Sequence, residues 1–86
     1  MTDDFTPKLA REERSAVILS AAIKVANEQG LTEVTFKSVA AECVMNTKPR
    51  TVADYFKIGE LRRAVVADDR ASDEVRSTAV AMGITV

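Results

Sequence analysis

Between Leu9 and Gln29 the chain runs without a proline or a glycine, and then meets Gly30. Within that run Ser15, Ile18, Leu19, Ala22, Ile23 and Ala26 recur three and four residues apart, a period that collects side chains on one face only in an α-helix. Both ends are marked. Thr6-Pro7 suits a helix start, because a threonine can cap free N–H groups and a proline at the first helical position forfeits no hydrogen bond. Gly30 suits the stop, because it enters the left-handed closing conformation without steric cost. A long amphipathic helix in a chain of 86 residues leaves room for only a few partners around one core.

Those partners also read as helices. Thr35 is a second cap candidate, after which Phe36, Val39, Ala40 and Cys43 share one face of a short helix over about 35–43. Val44-Met45-Asn46-Thr47-Lys48-Pro49 reads as a turn, and Pro49, which keeps Lys48 extended, opens a third helix with Lys48 or Thr47 at its cap. That helix runs to Tyr55 or Phe56. Val52, Tyr55 and Phe56 form its inner face, while Arg50, Thr51, Asp54 and Lys57 point elsewhere. Ile58-Gly59 reads as a break, followed by a helical stretch from Glu60 to about Met82 with Leu61, Val65, Val75, Val80 and Met82 as its apolar surface. The polar stretch Asp68 to Glu74 is either exposed helix or a break between two shorter helices. The strand candidate, Leu31 to Phe36, is too short to count. The expected fold is all-α: one domain over 1–86, a three-helix unit over 8–57 and a C-terminal helix over 58–86.

Charge narrows the function. Twelve Lys and Arg stand against thirteen Asp and Glu, so the chain does not coat nucleic acid through bulk charge. The sign nevertheless varies along the chain: residues 1–36 sum to −2, residues 37–63 to +3 and residues 64–86 to −2. The positive excess sits in the middle of the chain. One cysteine, Cys43, excludes an intramolecular disulfide and reads as a small core residue, since there is no histidine to activate it. No glycine-rich phosphate loop, cysteine pair or nucleophile-base spacing is present, so the chain does not read as an enzyme, and neither cofactor nor metal is expected. With no leader and no apolar run of about 18 residues, a cytoplasmic protein is expected. A chain this short gains from pairing, so a homodimer through residues 60–86 is expected.

A longer helix followed by two short ones about a tight turn is the organisation of a three-helix DNA-binding unit, whose last helix enters the major groove. Its outward face here offers Arg50, Thr51 and Asp54, with Lys48 before it and Lys57 after it. Arginine bonds both acceptors of guanine, threonine meets the thymine methyl, and Asp54 either accepts from cytosine N4 or pairs with Arg50. Lys48, Lys57 and Lys37, the last near the start of the second helix, are candidates for phosphate. Tyr55 and Phe56 are core residues first. Arg62 and Arg63 read as surface residues before they read as backbone contacts.

Several of these segments resemble a family. Ile18-Leu19-Ser20-Ala21-Ala22, Gly30, Thr35-Phe36-Lys37-Ser38-Val39-Ala40 and Thr51-Val52-Ala53-Asp54-Tyr55-Phe56 are similar, in that order, to the N-terminal DNA-binding region of the TetR family of transcriptional repressors, over residues 11 to 66. The resemblance implies a helix-turn-helix, with Tyr55 contacting the DNA backbone or packing and Lys57 on phosphate. The chain departs from the family in a longer turn without glycine, in Ala53 where an aromatic is usual, and in a shorter spacing after Phe56. It ends at Val86, so the family's effector-binding domain and ligand-induced release are not expected. Two functions follow. In the first, the chain is a small sequence-specific regulator bound to double-stranded DNA. In the second, it is a protein-binding module, of the kind a phage or mobile element encodes, that docks on a host protein.

Overall fold

Helix α1 (Pro7–Gln29) is the axis on which α2, α4 and α5 pack, while α3 packs on α2. The computed structural model describes residues 7–43 and 47–84, with side chains from residue 12 onward, and among them there is no strand. Thr6 and the turn residues 44–46 lie outside this range, so the expected Thr6 cap and the centre of the expected turn do too. Ile18, Ala22, Ile23 and Ala26 are buried as the spacing predicts, and Ala21 and Val25 are buried beside them. The apolar stripe is wider than a single-face reading requires because α1 is covered by α2, α4 and α5 together. Gly30 ends the helix with φ +108°, a conformation costly for any residue with a Cβ, and its N–H donates to the Ala26 carbonyl at 2.9 Å.

The chain then makes one 3₁₀ turn (Leu31–Glu33), which seats Leu31 and Val34 fully inside the core. Helix α2 (Phe36–Glu42) begins at a reciprocal cap. The Thr35 hydroxyl accepts from the Ser38 N–H at 3.1 Å, and the Ser38 hydroxyl accepts from the Thr35 N–H at 2.9 Å while donating to the Glu33 carbonyl at 2.6 Å. Val39 and Ala40 are buried, and Phe36 and Cys43 pack partly against the core. Helix α3 (Pro49–Tyr55) has Lys48 at its N-cap without a side-chain bond, and Pro49 in its first turn.

Two expectations change in the C-terminal third. The break at Ile58-Gly59 is absent: helix α4 (Ile58–Ala67) already includes both residues, and only Phe56 and Lys57 separate it from α3. The Glu60 carboxylate accepts from the Lys57 N–H at 3.2 Å and so satisfies a donor at the helix start, where a glycine is tolerated. The single C-terminal helix is two, because the polar stretch leaves the helical path at Asp68 and resumes as α5 (Asp73–Ala81) behind a Ser72 cap. This bend is tied to α1. Asn27 donates to the Arg70 carbonyl and accepts from the Ser72 N–H, both at 3.0 Å, and Arg70 donates to the Ser20 hydroxyl at 3.0 Å. Leu61, Val65, Ala71, Val75 and Ala79 are thereby buried. Val80 and Met82, expected among the apolar surface, stay exposed at the end of α5.

The bend carries a pH dependence. The Asp68 carboxylate accepts from the Arg70 guanidinium and from the Arg70 N–H, which together hold its carboxyl below the usual carboxylate value. A depressed folded-state value favours the native chain above the ordinary carboxylate range, and the gain is lost as pH falls through the folded value. Asp68→Asn is therefore expected to flatten the loss of thermal stability below about pH 4. Acid limbs that superimpose for the two proteins would show that the bend contributes nothing to it.

Candidate nucleic-acid interface

The side chains of interest divide by helical position. In α3, Val52 is completely buried, and Tyr55 and Phe56 are half-buried against the core, so this side of the helix is turned inward. Positions 50, 53 and 54 follow the complementary spacing, and Arg50, Ala53 and Asp54 are exposed; Lys57, past the extended Phe56 and at the N-cap of α4, is exposed too. Lys48 is exposed before them and Thr51 is half-buried at the edge. Lys37 is exposed in the first turn of α2, a helix that packs directly on α3. Of the residues expected to form a site, Arg50 and Asp54 thus share the open side of α3, while Lys48 and Lys57 are exposed at its two flanks. Lys37 stands on the neighbouring helix, and Tyr55 is half-buried against the core.

The cations differ in their electrostatic partners. Lys24 pairs with Glu42 at 2.8 Å, joining α1 to the last residue of α2, Arg70 pairs with Asp68 at 3.0 Å, and Arg76 with Asp73 at 3.6 Å. Lys37, Lys48, Arg50, Lys57 and Arg63 are exposed and make no ion pair among the described residues, as is also true of Arg14 on α1. Arg50 and Asp54, four residues apart, do not bond each other. Their order, base before acid, is the less favourable one for a helical pair.

Arg62 has a role that its sequence position did not disclose. From α4 its Nε and Nη2 both donate to the Val34 carbonyl, at 3.2 and 3.1 Å, immediately before the cap of α2. With Ser38 on the Glu33 carbonyl, the entry into α2 is held from within and from α4. The residue is therefore committed to the fold, whereas its neighbour Arg63 faces solvent. Only a contact 28 residues apart could reveal this, and no local pattern carries it.

No family model, no curated protein and no solved structure matches this chain. Chemistry elsewhere in the molecule is sparse. A groove of about 320 Å³ between α1 and the end of α2 is lined by Ala16, Val17, Ala21 and Cys43 among others. Burial pushes the Cys43 thiol up, against a hydrogen bond with Thr47 that lowers it, so little reactive thiolate forms at neutral pH. Among the described residues there is no cluster of three or more metal-ligating side chains, and no helix is long and apolar enough to cross a membrane.

Proposed function

We propose that this chain is a sequence-specific DNA-binding regulator of transcription, in which α2 and α3 act as a helix-turn-helix and α3 enters the major groove. The observation that carries the reading is the group of exposed cations on and beside α2 and α3 that lack acidic partners among the described residues, while Lys24, Arg70 and Arg76 each pair with an acid at the surface. A phosphate surface needs cations of this kind, since each phosphate neutralised releases counterions. The order of segments similar to the DNA-binding region of TetR repressors supports the same reading. The protein acts as a homodimer through the α4–α5 segment, where Val80 and Met82 are uncovered, and meets two half-sites about one helical turn or a small multiple apart.

Mobility shift on mixed duplex DNA tests this. With Lys37, Lys48 and Lys57 on phosphate in both protomers, the logarithm of the association constant should fall with the logarithm of salt at a slope of about −5. Lys57→Ala should weaken every sequence alike and lower the slope by about 1 per protomer, whereas Arg50→Ala should cost about 1–3 kcal/mol and relax the preference at one base pair. No shift at about 50 mM salt, where even non-specific binding is strong, rejects the reading and leaves the protein-docking module.

A further inference from the structure

We propose that Asp54 selects a cytosine in the bound duplex, one turn of α3 beyond a guanine read by Arg50, so that the DNA recognised carries a guanine and a cytosine about two base pairs apart. The inference rests on the DNA-binding reading above and names the substrate of that site. It begins with a carboxylate standing where local electrostatics disfavour it. Asp54 is the penultimate residue of α3, close to the negative end of the helix dipole, which repels an acid. It is exposed on the same side of α3 as Arg50, with the exposed Lys48 and Lys57 flanking the helix, and phosphates met by those cations repel it as well. No cation among the described residues neutralises it, not even Arg50 one turn away. A carboxylate kept at the unfavourable end of a helix and tied to no partner in the fold is free to accept from a donor outside it.

The chemistry of the major groove then chooses the base. A carboxylate only accepts hydrogen bonds, so guanine, with O6 and N7, and thymine, with O4, oppose it by presenting acceptors. Cytosine presents the N4 amino group as a donor. Adenine also has an amino group, but its N7 acceptor faces the second carboxylate oxygen, so cytosine is preferred. Ala53, exposed beside Asp54, adds no bulk that would hold the backbone off the base edges. The four residues from Arg50 to Asp54 advance about 6 Å along the helix, close to two base steps.

Selection from a random duplex pool with the wild type, Asp54→Asn and Asp54→Ala tests the assignment. The wild type should enrich a two-fold motif with guanine and cytosine at that separation. Asp54→Asn should move the cytosine position alone toward adenine, since an asparagine amide bonds N6 and N7 together. Asp54→Ala should reduce discrimination there by about five- to a hundredfold and tighten binding to unrelated duplexes. Both variants should melt no lower than the wild type, because the replaced carboxylate holds nothing in the fold. A wild-type motif that neither variant changes overturns the role of Asp54 and leaves the DNA reading standing. A wild-type selection that enriches nothing overturns the DNA reading and the assignment with it.

Discussion

Replacing Leu61 with alanine lowers the free energy of unfolding by about 2–5 kcal/mol, read as a fall in the urea midpoint with an unchanged slope. Leu61 is completely buried and is among the largest side chains in the core, on a helix that packs against α1. The loss has two parts: the apolar surface no longer removed from water, and a cavity that a small helical bundle closes only partly. A domain of this size is stable by roughly 4–13 kcal/mol, so one substitution removes a large share. Val80→Ala on α5 is the control, since a valine 77% exposed should change stability by less than about 0.5 kcal/mol. Equal midpoints for Leu61→Ala and Val80→Ala would mean that α4 is not seated on α1 as described.

Arg62→Ala has the next largest expected effect, about 2 kcal/mol, and it is local in origin. The substitution removes two charge-assisted hydrogen bonds and leaves the Val34 carbonyl without them, at a point where the chain enters α2. Hydrogen exchange should locate the damage in the first turn of α2, at the N–H groups of Ser38 and Val39 that bond back to Thr35. Arg62→Lys keeps the charge but not the planar fork, so it should restore only part of the protection. DNA binding separates this role from phosphate contact. Because the guanidinium is turned onto the protein, the salt slope should stay at the wild-type value in Arg62→Ala even if affinity drops. A slope lower by about 1 per protomer would place Arg62 on the DNA instead. Leu61 and Arg62 are neighbours on one helix, so their effects should not add.

How much of this was legible beforehand differs by element. The body of α1, its stop at Gly30, the Thr35 cap and the inner face of α3 were readable, because each depends on residues no more than four apart. Helix α4 began earlier than Ile58-Gly59 suggested, since one Glu60 hydrogen bond outweighs the local weakness of a glycine in the first turn. The polar stretch from Asp68 to Glu74 left two readings open. Its bend is decided by Asn27 and Ser20 on α1, more than 40 residues away.

For the candidate site, the identity of the outward residues on α3 followed from helical spacing once Val52 was placed inside. Whether Asp54 was neutralised by Arg50 did not follow, because the less favourable order weakens an i,i+4 pair without excluding it. Arg62 was indistinguishable from Arg63 in the sequence, and the structure sets one on a carbonyl and the other in solvent.

The sequence by itself determined that this chain is helical, where most helices start and stop, and which side of each is apolar, because these are matters of period and of caps within a turn. Only the tertiary structure decided which cations the fold consumes and which it leaves exposed. Ion pairs and carbonyl contacts such as Lys24 with Glu42 and Arg62 with Val34 depend on helices meeting in space. Local pattern does not encode those distances.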